Sequence, residues 1–473
     1  MSGYCSAWQE NCHIRPRLLL ARTLLLGRDF AEVKPQLLEV EANSQHAPRQ
    51  EKCQSPSKAK LEGADTVGMP NWEDRQAKEE IPDSFESISM AKKKLEFYEF
   101  FAGGGMARLG LGSHWDCIFA NEWCEKKASA YRGYFGLSEE LKVADVAKLR
   151  LLDLPGTPDL VWASFPCQDL SLAGSGAGLD GERSGTFRPF WRLVEGMASE
   201  GRAPRLVVIE NVVGTLTSHS GADFTSIVRA FAECGYRVGA LVVDAVRFLP
   251  QSRPRLFVLG LHGETPIPSR LKHATPAEPW HTRSLLKAHQ KLPGSLARSW
   301  VWWSLPTPSE TLPSLASLIE DRPTGVTWHA DHETRRLLRL MAASHRKKVE
   351  DALQVGTRHV GTIYKRTRPN RSGEMAQRAE VRFDGISGCL RTPVGGSSRQ
   401  TVIIVNKKGV QTRLLSPREA ARLMGVPDNY PLPTGYNDAY HVFGDGVAVP
   451  VVSWLEKHLL RPLASCRSYE QVA

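Results

Sequence analysis

Phe97-Tyr98-Glu99-Phe100-Phe101-Ala102-Gly103-Gly104-Gly105-Met106-Ala107-Arg108 reads as a strand that runs into a glycine-rich turn and then a helix. Glycines let backbone approach a bound molecule where a Cβ would clash. Acidic Glu122 ends the next strand candidate, where a carboxylate can accept hydrogen bonds from ribose hydroxyls. Together these features suit a nucleotide-binding loop. The dinucleotide fingerprint fails, however, because Arg108 stands where the third glycine belongs. Taken alone, the loop fits a tight structural turn equally well.

Working outward, short apolar strands alternate with amphipathic helical stretches from Leu95 to Leu261, the pattern of βαβ units. Strand candidates include Leu95–Phe101, Asp116–Asn121, Leu160–Phe165, Leu206–Ile209 and Leu256–Leu261; Phe187–Ser199 and Phe224–Cys234 have helical spacing. The expected fold class is α/β, a mixed and mostly parallel sheet, doubly wound, with its ligand site at the carboxyl ends of the strands. Residues 93–262 form this core, and residues 263–410 form a second, smaller domain. In that second domain the order dissolves into loops rich in Pro, Arg, Trp and Gly, with one helical patch around Glu333–Ala343. Residues 411–462 return to the core, and 463–473 are a tail. The return opens on a helix with Ser416 as N-cap, Pro417 at the first position, Glu419 at the capping-box offset and Gly425 as its stop. Residues 1–89 lack sustained periodicity and read as an extension, poorly ordered or created by a start assigned too early, with Met69 or Met90 as the alternative first residue.

The chain of 473 residues carries a formal net charge of +10, which points weakly toward a polyanionic partner. Its 41% hydrophobic and 24% charged residues exclude a disordered chain. Nine dispersed Cys, without a CxxC pair or His at zinc-ligand spacing, argue against a structural metal and for reduced thiols in the cytoplasm. The longest apolar run, Leu18–Leu26, is interrupted by Arg22 and is too short to span a bilayer. No small-residue cleavage site follows it.

Three further stretches carry chemistry. Leu160-Val161-Trp162-Ala163-Ser164-Phe165-Pro166-Cys167-Gln168 is a buried strand that delivers a thiol at the ligand edge, followed by a Gly- and Ser-rich loop, Ser171–Gly185, suited to closing over a substrate. A lone Cys is more often an inert buried side chain. Val207-Val208-Ile209-Glu210-Asn211-Val212 ends a strand in a carboxyl group able to move a proton beside that Cys, although a strand-end Glu is commonly just a surface residue. Gln251-Ser252-Arg253-Pro254-Arg255 presents two guanidiniums on one side of an extended segment, a pairing suited to phosphate or carbonyl recognition.

In this order, each at a strand edge, the four elements closely resemble the motifs of the DNA (cytosine-5)-methyltransferase family, of bacterial or phage type. The likeness covers Leu95–Leu261 and resumes over Arg413–Leu460, where Ser416–Met424 and Phe443-Gly444-Asp445-Gly446-Val447-Ala448-Val449-Pro450 look like the last two motifs. It implies the methyltransferase form of the Rossmann-like fold, S-adenosylmethionine as cofactor, and methyl transfer to C5 of a cytosine flipped out of a specific DNA sequence. Residues 263–410 then take the place of the target-recognition domain. Cys167 is the implied nucleophile on C6 and Glu210 the proton donor to N3; Asn211 orients the loop, and Arg255 with Arg253 contacts the base. The cofactor residues carried over are Phe101, Gly103, Gly105, Glu122, Trp123, Asp145 and Pro166, with Asp445 in the last motif. Pro166, Gln168 and Gln251 are the implied substrate contacts. Asp445 departs from the family, which has Asn there, and adds a negative charge near the sulfonium.

Trp300, Trp302 and Trp303, the basic runs Arg335–Lys348 and Lys365–Arg371, and the segment Leu390–Gln400 are candidates for lining a DNA cleft; core packing is an equal alternative for the Trp residues. The expected partner is double-stranded DNA, met by a monomer in the cytoplasm at the nucleoid, either with a restriction endonuclease as functional counterpart or with the chain acting alone. An RNA (tRNA) cytosine-5 methyltransferase and a silent DNA-binding relative are the alternatives; the large middle domain argues against the first, and intact Cys167, Glu210 and Arg255 against the second. A nicotinamide-dependent oxidoreductase is disfavoured by the broken glycine fingerprint.

Overall fold

Seven strands build the main sheet: β1 (Leu95–Phe100), β2 (Trp115–Glu122), β3 (Leu141–Val143), β4 (Leu160–Ala163), β5 (Leu206–Val212), β6 (Tyr236–Asp244) and β7 (Pro254–His262). A computed structural model describes residues 93–137, 139–166, 186–308, 312–369, 372–391 and 399–466. The extension over 1–89, Cys167, Gln168 and the loop Ser171–Gly185 therefore lie outside the described residues, as do 392–398 and 467–473.

The strand order is β3-β2-β1-β4-β5-β7-β6. Pairs from β3 through β5 are parallel, whereas β7 runs antiparallel between β5 and β6. The reversal matters for the site. Because β7 enters where β5 exits, Arg255 at its start pairs in register with Val212, at the same edge as Glu210 and Asn211. Strand β6 was not among the sequence candidates. Its Gly239 explains part of its position, since a Cβ there would lie 2.0 Å from the carbonyl oxygen of Val301.

Each face of the sheet buries its own apolar cluster. On one side Phe187–Ser199 and Ala222–Glu233 cover Val161, Val207 and Val258. Phe187–Ser199 coincides with the stretch picked out by spacing, because its buried Phe187, Phe190, Trp191, Val194 and Met197 recur on one helical face. On the other side the returning helices Pro417–Leu423, Tyr436–Asp445 and Val449–Leu455 join Met106–Leu111 over Trp162, Val208 and Phe257. A Cβ on Gly110 would meet Val452 at 2.3 Å, so only glycine permits that approach. Ser416 accepts from Glu419 N while the Glu419 carboxylate accepts from Ser416 N, the reciprocal cap anticipated from sequence.

The middle of the chain differs from its sequence reading in two respects. Residues 263–305 pack on the main sheet: β8 (Lys272–His273) pairs with β9 (Trp302–Trp303), Val301 N donates to Val238 O, and Trp280 Nε1 to Leu305 O. The second lobe also holds an antiparallel sheet, β11-β10-β12-β13, where loops were expected: β10 (His359–Pro369), β11 (Met375–Arg382), β12 (Thr401–Asn406) and β13 (Gly409–Leu414). The helices Asp331–Arg339 and Ala343–Val355 close its small core around Ile363, Val381 and Ile403. Strand β13 runs across the boundary placed at 410, so the return to the core begins after Leu414. No helix among the described residues is long and apolar enough to cross a membrane.

Beneath the glycine turn, Glu99 of β1 is fully buried; its carboxyl accepts from the backbone of Arg108 and Ala107, and Oε2 has no hydrogen-bond partner. Burial pushes this carboxyl up to about 8, against the opposing pull of Arg108. The folded protein thus holds a proton that the unfolded chain releases, and stability falls as pH rises from about 4.5 to about 8 before levelling. Glu99→Gln should remove that fall, leaving the variant more stable than the parent by on the order of a few kcal/mol above the folded-state pKa and no more stable in acid. Urea unfolding across this range checks it; parallel curves for the two proteins would count against the assignment.

Candidate active site

The carboxyl ends of β3, β2, β1 and β4 form one continuous edge. Phe101 follows β1 with φ 57°, a left-handed conformation uncommon for a non-glycine residue, and its ring lies edge-on to Phe165 and Phe190. Gly105 must be glycine: φ is 77°, and a Cβ would meet the Phe135 ring at 2.3 Å. Gly103 has φ 57° with open space where a side chain would point. Its N–H donates to Glu122 Oε2 at 2.8 Å, while Cys124 N donates to Oε1 at 2.8 Å. Glu122 is buried, and Trp123 beside it is 76% exposed, a large aromatic surface left open at the ligand edge. Asp145 is exposed just beyond β3, its Oδ1 capping Ala147 N at 2.9 Å. The exposed Pro166 follows β4. Asp445, at the end of the helix Tyr436–Asp445, pairs with Lys127 at 2.7 Å, so its additional charge has a cation beside it.

At the adjoining edge, Glu210 and Arg255 form an ion pair, Nε to Oε1 at 3.0 Å, with 7% and 15% of their side chains exposed. Asn211 donates from Nδ2 to the carbonyl of Phe165 at 3.0 Å and accepts on Oδ1 from Val212 N and Thr215 Oγ1. This ties the end of β5 to the turn that leads from β4 toward position 167.

Two neighbours do other work than the sequence suggested. Arg253, expected at the base, is 2% exposed and donates to the carbonyls of Leu390, Gly444 and Gly446 at 3.0, 2.9 and 2.6 Å. Its planar fork is committed to these carbonyls and to the sulfur of Cys389, which makes it a positioning residue. Gln251, expected at the substrate, is fully buried; Nε2 donates to Leu423 O at 2.6 Å and Oε1 accepts from Leu390 N at 3.0 Å. Both side chains extend from a segment that the second lobe and the returning helices cover. Of the Trp cluster, only Trp303 is core; Trp300 and Trp302 are half-buried and line a concavity with Arg237 and His289. Trp303 is fully buried over Gly239, and Trp300 and Trp302 pack with His289 along the β6 edge. In the basic runs, Arg335, Arg336, Arg339, Lys347, Lys348 and Arg366 are exposed.

A family model described as C-5 cytosine-specific DNA methylase matches residues 95–461, spanning both edges and the second lobe. The chain belongs to this family. It is 25% identical over 403 residues to the type II methyltransferase M.HpaII of Haemophilus parainfluenzae, covering 80% of this chain and 93% of that one. Identity to M.HhaI of Haemophilus parahaemolyticus is 26% over 365 residues, covering 76% and 93%. The structure of the S. pombe Dnmt2 methyltransferase aligns with 78% of this chain and 99% of its own, at 15% identity and a TM-score of 0.47.

As a C-5 cytosine-specific DNA methylase, the protein uses S-adenosylmethionine to methylate cytosine in DNA. The residues at the first edge fit that donor: the space over Gly103, the inward carboxylate of Glu122 and the uncovered ring of Trp123 offer room, an acceptor and a stacking face. No group of His, Cys, Asp or Glu among the described residues is placed to hold a metal. Sequence reasoning missed Lys127 and Cys389, which approach this methylase's site from a neighbouring helix and from the second lobe. Only the charge on Asp445 hinted at Lys127; Cys389 has no local pattern to betray it. Arg253→Gln should lower stability by about 3 kcal/mol or more, since buried carbonyls lose their donors. Urea unfolding reads this directly, and an unchanged midpoint would show those hydrogen bonds to be dispensable.

Proposed function

We propose that Cys167 is the nucleophile of this DNA methylase and that Glu210, held by Arg255, manages the proton on the target base. The observation that carries the reading is the Glu210–Arg255 pair at the mouth of β5 and β7, with Asn211 gripping Phe165 two residues before Cys167. C5 of cytosine is a poor nucleophile. Addition of the Cys167 thiolate to C6, with a proton passed from Glu210 to N3, gives C5 the enamine character it needs. The bound donor supplies an electrophilic methyl group. Transfer of the C5 proton to a solvent water, with the C6–S electrons leaving on the Cys167 sulfur, then restores the double bond and the free enzyme, and N3 returns its proton to Glu210. A stacked base hides C6, so the cytosine leaves the duplex to react.

Phe101, Gly103, Gly105, Glu122, Trp123, Asp145 and Pro166 would hold the donor. The Lys127–Asp445 pair keeps the unusual aspartate occupied and limits its pull on the sulfonium. The lobe from Asp331 to Leu414 would read the DNA sequence, its exposed Arg335, Arg336, Lys347 and Lys348 meeting phosphates. One copy of the chain supplies every group named here. Because the relatives above are type II methyltransferases, the reading extends to the modifying half of a restriction-modification pair, with an endonuclease of the same specificity.

Methyl transfer from labelled donor to duplex DNA, with bisulfite mapping, tests the assignment. Cys167→Ser should lose about 10³-fold or more in kcat and Glu210→Gln about 10²-fold, with donor binding retained in both. A Cys167→Ser protein that still methylates at the parental rate would rule the nucleophile out.

A further inference from the structure

The segment Ile386–Arg391 of the second lobe docks along residues 250–255 of the catalytic core. Ser387 N donates to Pro250 O at 2.7 Å, Ser252 N to Ser387 O at 3.0 Å, and Leu390 N to Gln251 Oε1 at 3.0 Å. This seam delivers the sulfur of Cys389 to two guanidiniums, 3.4 Å from Arg253 Nη1 and 4.0 Å from Arg255 Nη2. Arg255 is therefore shared, with Nε on Glu210 and Nη2 toward the sulfur. Burial pushes the Cys389 thiol up, but Arg253, Arg255 and Arg391 outweigh it and hold it below the usual cysteine range. Tyr440, from the helix Tyr436–Asp445, lies within electrostatic reach of this thiol, Leu390 O lies 3.3 Å from the sulfur as acceptor for the S–H of the protonated form, and Glu210 lies across Arg255. By contrast, burial drives Cys117 up to about 12 and Cys234 up to about 11.

We propose that Cys389 is a positioning residue for methyl transfer: as a thiolate it shares Arg255 with Glu210, and so the second lobe completes the charge balance of the catalytic pair. The inference rests on the reading of Glu210 as proton donor to N3. A guanidinium facing one carboxylate alone favours its ionised form and makes it a poor acid. A second anion on the same guanidinium offsets part of that charge and loosens its hold on the carboxylate. Arg253, fixed by three carbonyls, holds the sulfur in place.

The test follows kcat for duplex DNA against pH in the full chain, for wild type, Cys389→Ser, Cys389→Asp and Glu210→Gln. The alkaline limb of Cys389→Ser should move to lower pH by roughly one and a half units, the size expected for one charge removed at about 8 Å in an effective dielectric of about 20. Cys389→Asp, which restores an anion, should return the limb toward wild type. Superimposed limbs for wild type and Cys389→Ser, with Glu210→Gln slowed about 10²-fold, overturn the inference alone; a Glu210→Gln protein at the parental rate removes the reading beneath it and the inference with it. Iodoacetamide gives a second readout, since only the thiolate attacks its methylene carbon and expels iodide. Peptide mapping of the wild type should show residue 389 half-maximally reactive below the ordinary cysteine value of about 8.5, and a value at or above that overturns the proposal.

Discussion

Three distant stretches of chain meet on one side chain, Arg253. Its guanidinium holds Leu390 from the second lobe and Gly444 and Gly446 from the returning helices, all at the entrance to β7. Burying a cation is costly, and desolvation together with neighbouring Arg255 lowers Arg253 to about 10. Backbone carbonyls are the compensation. With that junction closed, β7 starts in a fixed place, Arg255 projects onto Glu210, and the edge that holds this pair is built from three parts of the chain at once.

What was legible in the sequence was local. The strand, glycine turn and helix from Phe97 to Arg108 announce themselves through adjacent residues, and so does the Ser416–Glu419 cap, because a capping box is complete within four positions. Glu210 and Arg255 were visible as residue types at strand edges, but the contact between them follows from the antiparallel register of β5 and β7. Arg253 and Gln251 were misread for a physical reason. A polar side chain in a Pro-flanked segment resembles a surface group until the carbonyls that bury it arrive from beyond residue 389.

The second lobe was hardest to read. Strand β10 buries Val360, Gly361, Thr362 and Ile363 beside β12, then continues as Lys365, Arg366 and Thr367 at the surface, paired with β11 from Thr362 onward. Its later pairing is sustained by backbone hydrogen bonds, without an apolar face to give the alternation that marks a half-buried strand. Gly239 and Trp303 show the same limit in the core. Their close packing joins residues far apart in sequence, and neither composition nor periodicity records it.

Between the lobes, Arg413 and Glu419 form a wholly buried ion pair, and Arg413 also donates to the carbonyl of Glu320 on the outgoing segment of the connection. Outgoing and returning chain are thus clasped together at the root of the second lobe. Rotation there would strand a charge without water, at a cost of several kcal/mol. The two passages consequently move as one body, and the base of the second lobe keeps its orientation to the helix Pro417–Leu423.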